Sequence, residues 1–211
     1  QLVDLHPVQS NDSLFRVQTT QETSYGPVTL DILINPDPVI RYTIDVTNLH
    51  TAPVVVTLIL NADLFTPPGL YVAKSEFGGE LIDIDGNGVA LDSANDFHTP
   101  QLADITDELG TLHSDAGQPC AFAASVPLTT HDCGIDRRVL TSLSNNPTFI
   151  TTQVSFFLSA HDRAVIHGGV ELLPDAPTHG PVSQVPEPTS LFLFGTAALG
   201  LGALRRTGNP S

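Results

Sequence analysis

The sequence contains no Met and no Trp, a single Lys, and 8 Lys+Arg in all against 23 Asp+Glu among 211 residues. The resulting formal net charge of −15 opposes binding to a phosphate backbone, which argues against nucleic acid as a partner. Met is missing even at position 1, which implies numbering that starts after an initiator and after a removed secretory signal peptide. Charge is scarce at 15% while hydrophobic residues make up 41%, so the composition of a disordered chain is excluded and a folded body is expected. The 16 Gly and 17 Pro follow no G-X-Y period, which excludes collagen and points to many turns. The sequence also lacks a G-x-S-x-G elbow, an H-E-x-x-H helix and a Gly-rich phosphate loop, so nothing supports catalysis and a non-enzyme is expected.

What is present reads as strands. Apolar and β-branched runs recur at 14–20, 28–34, 39–48, 54–61, 70–74, 80–84, 89–92, 148–159 and 164–173, with turn residues between them. These nine predict an all-β fold, an antiparallel β-sandwich of jelly-roll or immunoglobulin-like kind, over residues 1–174. In the run from Arg41 to Asn48, the residues Tyr42, Ile44 and Val46 share one face and Arg41, Thr43, Asp45 and Thr47 the other, so one side packs and the other is wet. The next run, Val54 to Leu60, is almost continuously apolar, which predicts a strand covered on both faces or lying near the sandwich centre, joined to its predecessor by a hairpin at His50–Pro53. Residues 93–146 read as an insertion, with one short helix near 102–109 and short strands such as one around 121–126. A Pro-rich linker follows at 175–184.

Three groups of residues carry candidate chemistry. Asp83, Asp85 and Asn87 lie two apart with Gly86 and Gly88 between and after them, the spacing with which a loop wraps calcium. The EF-hand pattern is incomplete, because its twelfth position is Ala94, and Asp92 or Asp96 would have to substitute. The same residues between Leu81-Ile82 and Val89-Ala90-Leu91 read as a hairpin turn, which is the favoured reading. Twelve acidic residues and no Lys or Arg occupy 76–136, which suits either a held cation or a solvated acidic face. Cys120 and Cys133 fit a local disulfide in an oxidising compartment. Zinc held by these cysteines with His113 and His131 is disfavoured, because close C-x₂₋₄-C pairs are missing. His161-Asp162 and His167 would serve a hydrolase only if a cleft gathered them with a carboxylate, and a lone His–Asp pair is more often a turn.

The C-terminal end is the most specific segment. Val185-Pro186-Glu187-Pro188 is followed by 16 uncharged residues at 189–204 and then by Arg205-Arg206. As a helix the uncharged stretch is about 24 Å long, slightly short of a hydrocarbon core of about 30 Å, and Leu191, Phe192, Leu193, Phe194, Leu199 and Leu201 cover all its sides. The arginine pair would hold its C-terminal end on the cytoplasmic side. The order of tripeptide, apolar helix and basic stop over 185–211 resembles the PEP-CTERM sorting signal of Gram-negative bacteria. The resemblance implies recognition by exosortase, processing near Pro186-Glu187-Pro188, and a transient inner-membrane anchor. It also implies final residence at the cell surface or in an exopolysaccharide or biofilm matrix. A structural or adhesive role is expected. The alternative is a carbohydrate-binding module using Tyr25, Tyr42 and Tyr71, and a secreted hydrolase is third. No cofactor other than calcium is expected.

Overall fold

The structure, a computed structural model, describes residues 8–9, 15–35, 39–64, 66–95, 98–123 and 126–175, without the side chains of 8–9 and 141–145. Thirteen strands account for nearly all of it: β1 (Val8–Gln9), β2 (Phe15–Thr23), β3 (Gly26–Asn35), β4 (Val39–Thr47), β5 (Val54–Asp63), β6 (Leu70–Asp83), β7 (Val89–Ser93), β8 (Gln101–Asp107), β9 (Gly110–His113), β10 (Cys120–Phe122), β11 (Thr129–Asn145), β12 (Phe149–Leu158) and β13 (Asp162–Pro174). One sheet of seven strands runs β1-β2-β3-β4-β13-β6-β11. The second, of six, runs β10-β7-β12-β8-β9, with β5 on the other edge of β12. Every pairing is antiparallel. The two sheets share one core, with Ile44, Leu81 and Ile166 from the first and Ile105, Val154 and Phe156 from the second fully buried. The expected sandwich is therefore observed.

Period-two alternation explains which residues face inward. On β4 the buried residues are Ile40, Tyr42, Ile44 and Val46, as the alternating pattern requires. On β6 they include Tyr71, Ala73, Ser75, Phe77, Leu81 and Asp83, and on β13 Asp162, Ala164, Ile166, Val170 and Leu172. Two aspartates thus occupy core-facing phases of central strands.

Several expectations need correction. The run 54–60 is not covered on both faces: β5 pairs with β12 alone, and Val55 and Ile59 are each 56% exposed. Residues 48–53 do not form a hairpin, because β4 and β5 belong to different sheets; buried Asn48 closes the passage by donating Nδ2 to Ala52 O and Ser159 O at 3.0 and 2.8 Å. Residues 84–88 are not a hairpin either, since β6 pairs with β11 and β13 while β7 lies in the opposite sheet. The apolar runs at 70–74 and 80–84 are one strand that continues through Gly78-Gly79. Across from it β11 bulges between Asp132 and Ile135, and a Cβ on Gly78 would come within 2.3 Å of Gly134 O. The helix near 102–109 is the strand β8, followed by its hairpin partner β9. Leu102, Ile105 and Leu109 mimic helical spacing, but burial follows the odd positions Gln101, Ala103 and Ile105. Residues 93–146 therefore contribute four strands to both sheets, including the small β10 near the expected 121–126.

Four of the six passages between sheets gather at one end of the sandwich: β4 to β5, β6 to β7, β10 to β11 and β12 to β13. Backbone bonds interlock them. Asn48 N donates to Asp162 O at 2.7 Å, Leu128 N to Asp83 O at 2.6 Å and Ser159 N to Ala90 O at 3.1 Å.

Candidate functional site

At that end Asp83, Asp85 and Asp162 each place one carboxylate oxygen so that all three lie within 4.8 Å of one another. Asp83 ends β6 and Asp162 begins β13, and the two residues oppose each other directly across the strand pair. Both are fully buried, whereas Asp85, in the loop leaving β6, is exposed.

The loop is shaped around Asp83. Gly86 N donates to its Oδ1 at 2.7 Å and Gly88 N to its Oδ2 at 2.8 Å, and both glycines have positive φ, 85° and 97°. That left-handed backbone, cheap only for glycine, turns the two amides back onto the carboxylate. Asn87 holds Asp85, its backbone N donating to Oδ1 at 3.2 Å and its Nδ2 to Oδ2 at 2.8 Å. On Asp162, the Ser159 hydroxyl engages Oδ2, and Oδ1 is buried with no partner in hydrogen-bonding geometry among the described residues. Burial raises the Asp162 carboxyl above its ordinary range and the charges of Asp83 and Asp85 add to this, while Ser159 and the Ile84 amide draw it partly back. Among the described residues no Lys or Arg pairs with any of the three: neighbouring Arg163 turns to Asp45, with Nε and Nη2 at 2.8 and 2.6 Å.

Of the residues expected around calcium, the structure groups Asp83 with Asp85 and sets Asn87 against Asp85. Asp162 was missed. Its signal is the period-two phase of β13, which puts it on the face of Ala164 and Ile166, two residues before the apolar run 164–173 begins.

The other candidates separate. Cys120 and Cys133 form a disulfide, which removes them as zinc ligands; His131 stacks on Phe122 with ring centroids 4.8 Å apart, and His113 Nδ1 meets Asp104 Oδ1 at 2.7 Å. His161 sits in the turn before β13 and His167 faces out of that strand, so no cleft gathers them. Tyr42 and Tyr71 are buried and Tyr25 stands edge-on to His50, so the three tyrosines make no common exposed platform. The disulfide borders a groove of about 490 Å³ between the sheet margins, where Phe77, Leu91 and Ile166 meet His131, Asp132 and Asp136. Val185, Pro186, Glu187, Pro188, Arg205, Arg206 and the span 189–204 lie outside the described residues.

The body is thus an all-β sandwich with a covalent tie between its sheets and an acidic node at the end of one of them. Its terminal segment, residues 184–206, matches the PEP-CTERM protein-sorting motif. A chain carrying this motif is an exported, membrane-sorted substrate of exosortase. No curated protein matches the chain. Among solved structures, TmCBM61 in complex with β-1,4-galactotriose is 12% identical, with 81% of this chain and 88% of that one covered and a TM-score of 0.24. The enzymatically active domain of bacteriophage CBA120 tailspike protein 4 is 10% identical, covering 75% and 18%, with a TM-score of 0.20. The VP2 subviral particle of infectious bursal disease virus is 14% identical, covering 90% and 55%, with a TM-score of 0.14. At these scores none of them informs the role of this chain.

Proposed function

We propose that the protein is a non-catalytic structural or adhesive component of the cell surface or extracellular matrix of a Gram-negative bacterium. Span 189–204 holds it transiently in the inner membrane, with Arg205-Arg206 on the cytoplasmic side, until exosortase cuts near Pro186-Glu187-Pro188. The observation that carries this reading is the sorting motif at 184–206. The exposed row of Val55 and Ile59 on edge strand β5, beside half-exposed Phe157, supports adhesive contact. Mass spectrometry of the protein from culture, with and without the exosortase gene, tests it. Chains ending near Pro186-Glu187-Pro188 are expected only when the gene is present, and an intact C-terminus in both strains overturns the proposal.

Carbohydrate binding is the second reading, favoured by the groove beside the disulfide, where polar Asp132, Asp136 and Gln118 adjoin the His131 ring. Retention of the protein on its own cells' exopolysaccharide, abolished by D132N together with D136N, is the outcome that would favour it.

A further inference from the structure

We propose that Asp83, Asp85 and Asp162 bind one calcium ion that fastens the passages between the two sheets. Three observations converge. First, the ligand set is oxygen alone, from carboxylates of three different structural origins, with no His or Cys among them; that chemistry selects hard cations over zinc or copper. Second, the three oxygens are close enough to share one ion. All lie within 4.8 Å of one another, no more than the separation of two oxygens on opposite sides of a calcium ion at about 2.4 Å from each, so a single cation reaches all three without moving a strand. Third, Asp162 carries a buried oxygen with no hydrogen-bond partner among the described residues. This Oδ1 lies in a residue that directly faces another buried carboxylate.

Like charges opposed on adjacent strands destabilise a sheet, and a buried unpaired charge is more costly still. A divalent cation answers both at once. Asp83 contributes lone pairs left over after its two amide bonds, Asp162 contributes Oδ1, and Asp85 reaches in from the solvent side of the loop. Loop carbonyls and water would complete the 6–8 oxygens that calcium takes. The alternative occupant of the same node is a proton on Asp162, which predicts no calcium-dependent change in stability. This assignment does not depend on the proposed surface role.

The full chain, purified in detergent and stripped with EGTA, is titrated with CaCl₂ by calorimetry and followed by thermal unfolding. One ion per chain is expected, with a Kd at or below about 1 mM, as in extracellular modules, and a higher Tm in calcium than in EGTA. D85N, at an exposed side chain, should fold as the parent does and lose at least about tenfold in affinity, the scale of a removed ligand. D162N should abolish the calcium-dependent rise while being at least as stable as the parent in EGTA, because it removes a buried charge. Absence of saturable binding overturns the proposal, as does an equal Tm rise with magnesium, which would indicate screening of the acidic surface. A calcium response unchanged in D85N overturns it too, and this variant decides even where D162N fails to fold.

Discussion

Removal of the Cys120–Cys133 bridge has a calculable consequence. The disulfide joins β10, at the margin of one sheet, to β11, at the margin of the other, with a sequence separation of 13. Cross-linking a loop of that length lowers the entropy of the unfolded chain by an amount worth about 3 kcal/mol at 25 °C. In a domain of this size each kcal/mol moves Tm by about 2–4 °C, so reduction should lower it by about 6–12 °C. The structure adds a location. β10 is held to its sheet by three residue pairs only, Cys120 opposite Leu91, Ala121 opposite Ala90 and Phe122 opposite Val89. Without the bridge this strand should be the first to leave. The assay is urea unfolding followed by circular dichroism for the oxidised protein, the reduced protein and the C120S/C133S variant, together with amide hydrogen exchange. The reduced protein and the double variant should coincide at the lower midpoint, with faster exchange confined first to Cys120–Phe122. Equal midpoints for oxidised and reduced protein would refute the reasoning, since the loop-closure contribution acts on the unfolded state and cannot vanish unless that state is already constrained.

Tyr42, fully buried on β4, donates its hydroxyl to Gln101 Oε1 at 2.5 Å, and Gln101 Nε2 donates to Gly169 O at 3.3 Å, so the pair links the sheets inside the core. Y42F strands the amide oxygen and should cost about 1–3 kcal/mol in urea unfolding. Burial first, and Glu76 second, push the Tyr42 hydroxyl well above its ordinary range, so the unfolded chain ionises before the folded one. The parent should therefore lose stability as pH rises past about 10, the ordinary tyrosine value, and Y42F should lack that part of the loss. Burial also raises the carboxyl of Asp115, whose Oδ1 is buried without a hydrogen-bond partner among the described residues. D115N should thus be more stable than the parent at neutral pH, with the difference closing as pH falls through the raised range towards the ordinary carboxylate value, as pH-dependent melts would show. Finally, a Cβ on Gly86, at φ +85°, would meet Pro127 Cδ at 2.9 Å. G86A should cost about 1–2 kcal/mol from the left-handed backbone alone, and calorimetry should also show a weaker calcium response.

Most strands and their inward faces are legible in alternation, because the pattern is written locally: Tyr42, Ile44 and Val46 can share a face only in one phase. Sheet membership is not local. An Asp-Gly-Asn-Gly stretch between apolar runs is compatible with a two-stranded turn and with a passage from one layer to the other. Only the partners of β6, which are β11 and β13, distinguish the two. The apolar face of β5 misled for a related reason. Burial of Val55 and Ile59 depends on whether a strand or layer lies beyond them, which their own residue types do not encode. The acidic node was half legible, since Asp83 and Asp85 share one loop while Asp162 is far away in sequence and was read as part of a turn.

The disulfide and the proposed calcium node have a common requirement. Disulfides form and persist in oxidising compartments, and calcium sites of extracellular modules fill at about 10⁻⁴–10⁻³ M. A cytoplasm supplies neither condition. Before export, the pair opposed at Asp83 and Asp162 would lack its counter-ion, and β10 would keep its three residue pairs with β7 and the Phe122–His131 stack but not the covalent bond. Given the calcium assignment, the passages at this end and the margin at β10 and β11 close fully only after translocation. The signal at 184–206 marks such an exported chain. The fold and its address are thereby linked through solution chemistry: the opposed carboxylates and the short margin strand β10 are places that the environment outside the cytoplasm reinforces.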